Sequence, residues 1–481
     1  MRKPDASAPS HAVNSPRRSH TIANVKQKPI SAGPRKPAIQ FDGESVYNYR
    51  QHALSMLKES LALMVLPCGC FFAYLGSFFP ALPAVPLAVK VLYLFTLGML
   101  SRVVARGPRN SLRRDLTGRH VVITGGTSGI GQATAAQLAR MGADITLISP
   151  RNPDDVEPAL RFIRAHGRSP AASSSPADAH GMGAGFRPSR QRIEFHSLDL
   201  ADFVAVRDFC HRLRQQNRTI DILINNAAIM HPKAATTRLG VETQLAVNYL
   251  GPFLLTEGLL PLIEAVQGRI VYVSCSSHIS VKERTFSTFL KGQKVGRQSA
   301  GDHFDGLKQY GFTKLGCIYH AQDLAARACQ RASKSTAAGD QVPARAKFRG
   351  VVAASGYLYP LGKVFRCDGG GGDRVPRYTT CACAPGGAIT NLYRFHPMSV
   401  PFRLLYYPFL AFMRTAWDGS QTVVNCAVRE ELHNGGYYAS TRYHPSGLSE
   451  AACSSSMREQ MMAWTRNTMQ SYMNRNYVKG E

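Results

Sequence analysis

The sequence predicts an α/β fold with a doubly wound, parallel sheet. Two observations carry this expectation. From residue 120 onward, short apolar runs of strand length alternate with helical stretches, and strands separated by helices pair in parallel through crossovers. The first such run also leads directly into a glycine-rich turn at residues 124–131 with a helix behind it, the strand–turn–helix unit from which open α/β sheets are built.

The elements follow in order. His120–Thr124 is a first strand, short and rich in β-branched residues. Residues 132–141 read as a helix, 143–148 as a second strand, 192–198 as a third and 220–225 as a fourth. Residues 241–265 are helical in two pieces, 269–274 form a fifth strand, 306–327 a long helix and 379–384 a sixth strand. Two stretches rich in Ser, Ala, Gly and Arg, at about 164–190 and 330–377, break the alternation and read as surface insertions without chemistry.

With 481 residues the chain exceeds one ordinary domain. Residues 1–57 read as a disordered basic tail. They are poor in large apolar groups, and residues 1–40 hold Arg2, Lys3, Arg17, Arg18, Lys26, Lys28, Arg35 and Lys36 against Asp5. Residues 58–104 read as membrane-associated. No charge occurs from 61 to 89, the run 61–79 is about long enough to cross a bilayer, and 87–100 is a shorter second run. Pro80, Pro83 and Pro86 break any helix between the two. Basic residues flank both ends, Arg50 and Lys58 before and Arg102, Arg106, Arg109, Arg113 and Arg114 after. They favour a helical hairpin with both ends cytosolic. A single span, or a hairpin packed on the folded domain, are the alternatives. Residues 117–470 form the α/β domain.

The net charge of +27 suits an anionic membrane surface. Nucleic acid is not expected, because no zinc-finger, RNA-binding or basic-zipper pattern accompanies the charge. Hydrolase and kinase classes have no support, since no HExxH helix, nucleophile elbow or Walker loop is present. The eleven cysteines lack a paired CxxC pattern and read as reduced core residues of a reducing compartment, with no metal expected. Cys68 and Cys70 lie in the apolar run, and Cys381 and Cys383, two apart on a strand, point the same way.

Four patterns carry chemistry. Gly125, Gly129 and Gly131 allow a tight turn and close backbone approach to a phosphate. The helix start at Ser128 and Ile130 offers N–H groups and the positive end of a dipole. Asn225, Asn226, Ala227 and Ala228 end the fourth strand, and Asn248 lies in the next helix. Tyr310 and Lys314, at i and i+4, share one helical face. An ammonium beside a phenol favours the phenolate, which suits a proton donor/acceptor for a carbonyl/alcohol pair.

In this order and in these settings the residues resemble the short-chain dehydrogenases/reductases, over roughly residues 118–469. The TGxxxGxG pattern is residues 124–131, NNAG is 225–228 and YxxxK is 310–314. The branch most similar holds retinol dehydrogenases, WW-domain oxidoreductases and protochlorophyllide-type reductases. The resemblance implies a Rossmann-type fold and a nicotinamide cofactor. Thr124, Gly125, Thr127, Ser128, Gly129, Ile130 and Gly131 would then cradle it, Asp199 and Leu200 would meet its adenine, and Asn226 with Ala227 and Ala228 would sit near its ribose. Pro385 and Gly386 would lead to Thr390 at the nicotinamide amide. Tyr310 would be the proton donor/acceptor, Lys314 would bind the nicotinamide ribose, and Asn248 would hold a relay water. His278 reads as structural, and the aromatics of 393–412 read as pocket wall or as core.

One position departs from the family. Its carbonyl-polarising serine falls, without gaps, on Cys275, and a thiol is a weaker donor than a hydroxyl. Ser274, Cys275 and Ser276 are therefore all candidates, with a neighbouring serine favoured over the thiol. At the end of the second strand stands Ser149, where an acid would repel a 2′-phosphate, and Arg151 follows. NADP is favoured, with NAD as the alternative. The function expected is interconversion of a lipophilic aldehyde or ketone and its alcohol, of retinoid, steroid or fatty-aldehyde class, by a membrane-associated enzyme anchored through residues 61–100. Its catalytic domain would be cytosolic, on endoplasmic reticulum or a lipid droplet, with the mitochondrion as alternative. A homodimer is allowed for. The competing expectation is a weakly catalytic or inactive NADP(H)-binding membrane scaffold.

Overall fold

The computed structural model describes residues 105–167, 191–231, 233–292, 305–335, 376–395 and 413–477, together with seven positions of the segment 92–103. The chain divides into two units, Met1–Gln40 and Phe41–Glu481, and every described residue belongs to the second. The basic tail, most of the apolar stretch 58–104 with Cys68 and Cys70, the central parts of both insertions and the aromatic stretch 396–412 lie outside the described residues.

Among the described residues, eight strands form one sheet in the order β3-β2-β1-β4-β5-β6-β7-β8. They are β1 His120–Thr124, β2 Asp144–Ser149, β3 Ile193–Ser197, β4 Ile222–Asn225, β5 Arg269–Val273, β6 Thr379–Ala384, β7 Gly436–Ala439 and β8 Arg442–Tyr443. Every neighbouring pair is parallel except β7 and β8, which run antiparallel. The chain winds outward from β1 to β3, then returns to β4 beside β1. That reversal opens a crevice at the carboxyl ends of β1 and β4, where ligands of such sheets bind.

Strand alternation builds two cores. Val122, Ile148, Ile270, Tyr272, Ala382 and Ala384 face one layer, whereas Val121, Ile123, Leu147, Val271, Val273, Cys381 and Cys383 face the other. The first layer holds helices α3 Phe203–Gln215, α4 Thr243–Glu264, α6 Gly306–Ser335 and α9 Ser455–Tyr477. The second holds α1 Gly129–Arg140, α2 Pro153–His166 and α7 Ala416–Val428. The short helices α5 Glu283–Gly292 and α8 Glu450–Cys453 follow, and the described positions between 92 and 106 are helical as well. Cys381 and Cys383 share a face as their spacing requires, and both are buried against the layer that carries Cys426.

The six expected strands are present, shifted at their ends by two residues at most. β7 and β8 were not expected. The long helix runs on to Ser335, past residue 330 where composition places the start of the second insertion, and α2 likewise occupies residues 164–166 of the first. Both insertions join a helix end to the start of a strand, α2 to β3 and α6 to β6. The helix Thr243–Glu264 has the length and apolarity of a membrane span, but 72% of its most apolar window is buried in the fold, as befits a core helix.

Arg269 is fully buried at the start of β5. Its Nη1 donates to the carbonyls of Cys426 at 2.8 Å, Ala427 at 3.2 Å and Arg429 at 2.6 Å. It thereby caps the carboxyl end of α7, where a cation also meets the negative end of the helix dipole.

Candidate active site

The turn after β1 is shaped by backbone contact. Gly125 has φ +65°, and a Cβ there would stand 2.9 Å from the Cα of Ala227. A Cβ on Gly131 would stand 2.3 Å from the Gly125 carbonyl oxygen, so no side chain fits where α1 crosses the turn. Ser128 caps α1 in an extended conformation with no side-chain bond to its amides. The first N–H groups of α1 therefore lack a side-chain cap, the arrangement at a helix start that suits an anion.

The end of β4 is tied to this turn. Thr124 Oγ1 accepts the N–H of Asn226 and of Ala227, each at 3.0 Å. Asn226 Nδ2 donates to the carbonyls of Thr124 at 3.0 Å and Gly125 at 3.3 Å. Asn225 instead turns into the core and donates to Thr256 at 2.9 Å. Asn226, the residue expected near the nucleotide, is thus tied to the glycine turn, and Asn225 lies behind it.

At the end of β2, Thr127 Oγ1 donates to Ser149 Oγ at 3.2 Å, and the Arg151 N–H reaches the same oxygen at 3.4 Å. Ser197 at the end of β3 donates to the Arg151 carbonyl at 2.9 Å. Sequence reasoning missed Arg394, which lies on the helical turn Asn391–Phe395. It is exposed, its Nη1 donates to the Asn391 carbonyl at 3.0 Å, and desolvation by its surroundings, helped by the charge of Arg151, holds its guanidinium below the ordinary value. No local signal gives Arg394 away, because more than two hundred residues separate it from β2. Asp199, on the loop after β3, accepts the Ala201 N–H at 2.9 Å, and Leu200 beside it is buried.

The loop after β6 closes over α1. Thr390 lies 3.3 Å from the position of a Cβ on Gly129, and its hydroxyl accepts the Leu392 N–H at 3.3 Å. Pro385 and Gly386 begin this loop, Gly386 with φ +82°. The structure thus brings Thr390 to the glycine turn.

Tyr310 and Lys314 stand on α6 beside the end of β5, both buried. Lys314 Nζ lies 5.4 Å from the centre of the Tyr310 ring and donates to the Val273 carbonyl at 2.9 Å. Ser274 Oγ donates back to the Lys314 carbonyl at 2.9 Å. Asn248 sits in a π-helical turn, Ala246–Leu250, within α4. Its side chain exchanges two bonds with the backbone of Ile229, both at 2.8 Å, and donates to Thr313 at 3.3 Å. Thr313 in turn donates to the Tyr310 carbonyl at 2.7 Å. The widened turn breaks the regular carbonyl ladder of the helix, and the Asn248 carbonyl accepts the Cys317 thiol at 3.4 Å.

The three candidates for the carbonyl donor part company. Ser274 is buried and its hydroxyl is spent on α6. Cys275 is half-buried and caps the helical turn Ser276–Ser280, its sulfur accepting the Ser277 N–H at 3.3 Å. Ser276, the first residue of that turn, is exposed. His278 holds the turn from behind, bonded to the Cys275 carbonyl at 2.7 Å.

A family model described as short chain dehydrogenase matches residues 119–181 and 157–287. Retinol dehydrogenase 12 of Bos taurus is 30% identical over 327 residues, which cover 67% of this chain and 78% of that protein. Retinol dehydrogenase 14 of Mus musculus is 37% identical over 175 residues, covering 35% of this chain and 49% of that protein. The chain spans about half the length of several curated relatives that it matches. A solved short chain dehydrogenase from Burkholderia cenocepacia J2315, in complex with NADP, is 19% identical and covers 68% of this chain and 97% of that one, with a TM-score of 0.41. The bovine relative is matched over 78% of its length. The chain belongs to the short-chain dehydrogenase family.

Proposed function

We propose that this chain is an oxidoreductase that interconverts a lipophilic carbonyl compound and its alcohol with a nicotinamide nucleotide, NADP(H) in preference to NAD(H). The observation that carries the reading is the Tyr310–Lys314 pair, buried beside the end of β5 in the sheet whose β1 turn leaves helix amides open to a phosphate. A dinucleotide fits the residues present. Gly125 and Gly131 let the turn pack on its own backbone so that the start of α1 stays uncovered, and Arg151 follows the end of β2 with the charge of Arg394 acting on it. When bound, the nucleotide supplies or takes a hydride.

The chain's own residues do the rest. The α1 amides hold the pyrophosphate, and Arg151 with Arg394 receives a 2′-phosphate. Thr390, Asp199 and Asn226 bound the remainder of the site. Tyr310 gives its phenolic proton to the carbonyl oxygen in reduction and takes it back in oxidation. Lys314 keeps a positive charge beside that phenol, and the Asn248 turn holds the proton path behind it. Ser276, with Cys275 as the competitor, polarises the carbonyl.

The lipophilic substrate class, retinoid, steroid or fatty aldehyde, rests on the names of the relatives and on the apolar run 61–100. A proline-broken hairpin there would anchor the chain on a membrane such as endoplasmic reticulum or a lipid droplet, with the α/β domain cytosolic. NADPH oxidation over a panel of lipophilic aldehydes and ketones tests the reading. Turnover that Tyr310→Phe abolishes supports it, and turnover undiminished in Tyr310→Phe rejects it. The half-buried thiol at Cys275 favours a second reading, a nucleotide-binding membrane scaffold with little catalysis. Tight NADPH binding with no turnover on any carbonyl would select that one.

A further inference from the structure

Arg414 is the meeting point of three separate segments. Its Nη1 donates to the Pro385 carbonyl at 2.7 Å, its Nη2 to Ser440 Oγ at 3.1 Å and its Nε to the Ala105 carbonyl at 3.3 Å. Its backbone clasps the loop after β6 as well, donating to the Gly387 carbonyl at 2.8 Å and accepting the Ile389 N–H at 3.0 Å. The guanidinium lies between two glycines with positive φ. A Cβ on Gly107 would stand 2.3 Å from Nη2, and one on Gly386 would stand 2.9 Å from Cζ. The planar fork therefore fills a slot that any side chain on either glycine would invade.

The segment on the far side of this slot is the one on which the N-terminal apolar run ends. It is seated by Arg102, whose Nη2 lies 2.6 Å from Asp418 Oδ2 and whose Nη1 donates to the Met413 carbonyl at 3.2 Å. Further along, the Asn110 N–H donates to Gln421 Oε1 at 3.0 Å. On the near side, the loop that Arg414 holds carries Thr390, 3.3 Å from the Cβ position of Gly129 in the glycine turn.

We propose that Arg414 is a positioning residue of the nucleotide site, fixing the 385–390 loop against the glycine turn and making nucleotide affinity depend on how the segment 102–110 is seated. The proposal rests on the nucleotide-binding reading above. A shift of Ala105 or Gly107 moves the guanidinium, the guanidinium moves the Pro385 carbonyl, and the loop carries that movement to Thr390. Linkage makes the coupling reciprocal, so the segment where a membrane anchor would join the domain and the cofactor sense one another.

The test is a fluorescence titration of the full chain with NADPH, in the wild type, Arg414→Lys, Arg414→Ala, Gly107→Ala and the Gly107→Ala/Arg414→Ala pair. Affinity should fall about tenfold or more in Arg414→Ala, and also fall in Arg414→Lys, which keeps the charge without the fork. Gly107→Ala should weaken binding about threefold or more in the wild-type background and not at all in the Arg414→Ala background. Folded Arg414 variants with affinity within about twofold of wild type would overturn the proposal, as would Gly107 and Arg414 effects that multiply in full. If the Arg414 variants do not fold, Gly107→Ala and Ser440→Ala decide, and unchanged affinity in both overturns it. A wild type that binds neither NADPH nor NADH overturns the reading of the site itself. Wild-type binding with indifferent variants overturns only the role of Arg414.

Discussion

The imidazole of His278 is bonded through Nδ1 to the carbonyl of Cys275 at 2.7 Å. Its Nε2 accepts the Ser449 N–H at 3.2 Å, which fixes the ring as the neutral Nδ1–H tautomer. The residue expected to be merely structural thus joins the donor turn of the site to the loop before α8, 171 positions away.

A pH dependence follows. Burial lowers the His278 pKa from 6.5, against the opposing pull of the Cys275 and Gly447 carbonyls on the protonated ring. Below about pH 6.5 the unfolded chain takes up a proton that the folded chain refuses, so this contribution to stability is complete above that pH and is lost as pH falls. His278→Asn, which keeps a donor for Cys275 and cannot titrate, should flatten the acid limb by up to about 1.4 kcal/mol per pH unit. Urea unfolding from pH 7.5 down to pH 5 measures both slopes, and identical slopes would refute the assignment.

The donor of the carbonyl bond is decided by two substitutions. Ser276→Ala should lower turnover on the order of 100-fold, the scale for loss of one donor to a developing oxyanion. Cys275→Ala should cost much less. A larger loss in Cys275→Ala reverses the roles, and two negligible losses remove both residues from the reaction.

Arg151 and Arg394 together bear on nucleotide choice. Each single alanine variant should reduce the preference for NADPH over NADH roughly tenfold, the scale of one charge-assisted contact. The ratio of kcat/KM for the two nucleotides is the measurement. An unchanged ratio in both variants would mean that the 2′-phosphate lies elsewhere.

Arg269→Met should destabilise the fold by about 3 kcal/mol, because it strips the cation from three buried carbonyls at the end of α7. Chemical denaturation measures this. A loss below about 1 kcal/mol would show that the cap contributes no more than an ordinary neutral hydrogen bond.

What the sequence made legible is what depends on neighbours along the chain. The six strands announce themselves by apolar runs, the glycine turn by φ values only glycine takes easily, and Tyr310 with Lys314 by one turn of helix. β7 and β8 stay silent, since four residues and two carry no period and β7 is placed by its register with β6. Arg394, Arg414 and the Ser449 partner of His278 stay silent for the same reason. Each interacts with a residue more than a hundred positions away, Arg414 through Ala105, and only the closed sheet brings them near. The choice among Ser274, Cys275 and Ser276 narrows for a local reason that motif spacing does not encode, which is that the Ser274 hydroxyl has already been claimed by the Lys314 carbonyl.

The two insertions leave helices and enter strands, at α2 to β3 and α6 to β6. In a parallel sheet such connections gather at the amino ends of the strands, the pole opposite the crevice. The described ends of both connections therefore lie away from the ground where cofactor and substrate would meet. The domain thus has one end free to diverge and one end held by its chemistry. Shortening the chain between α2 and β3 and between α6 and β6 is accordingly the route to a smaller protein that keeps its site.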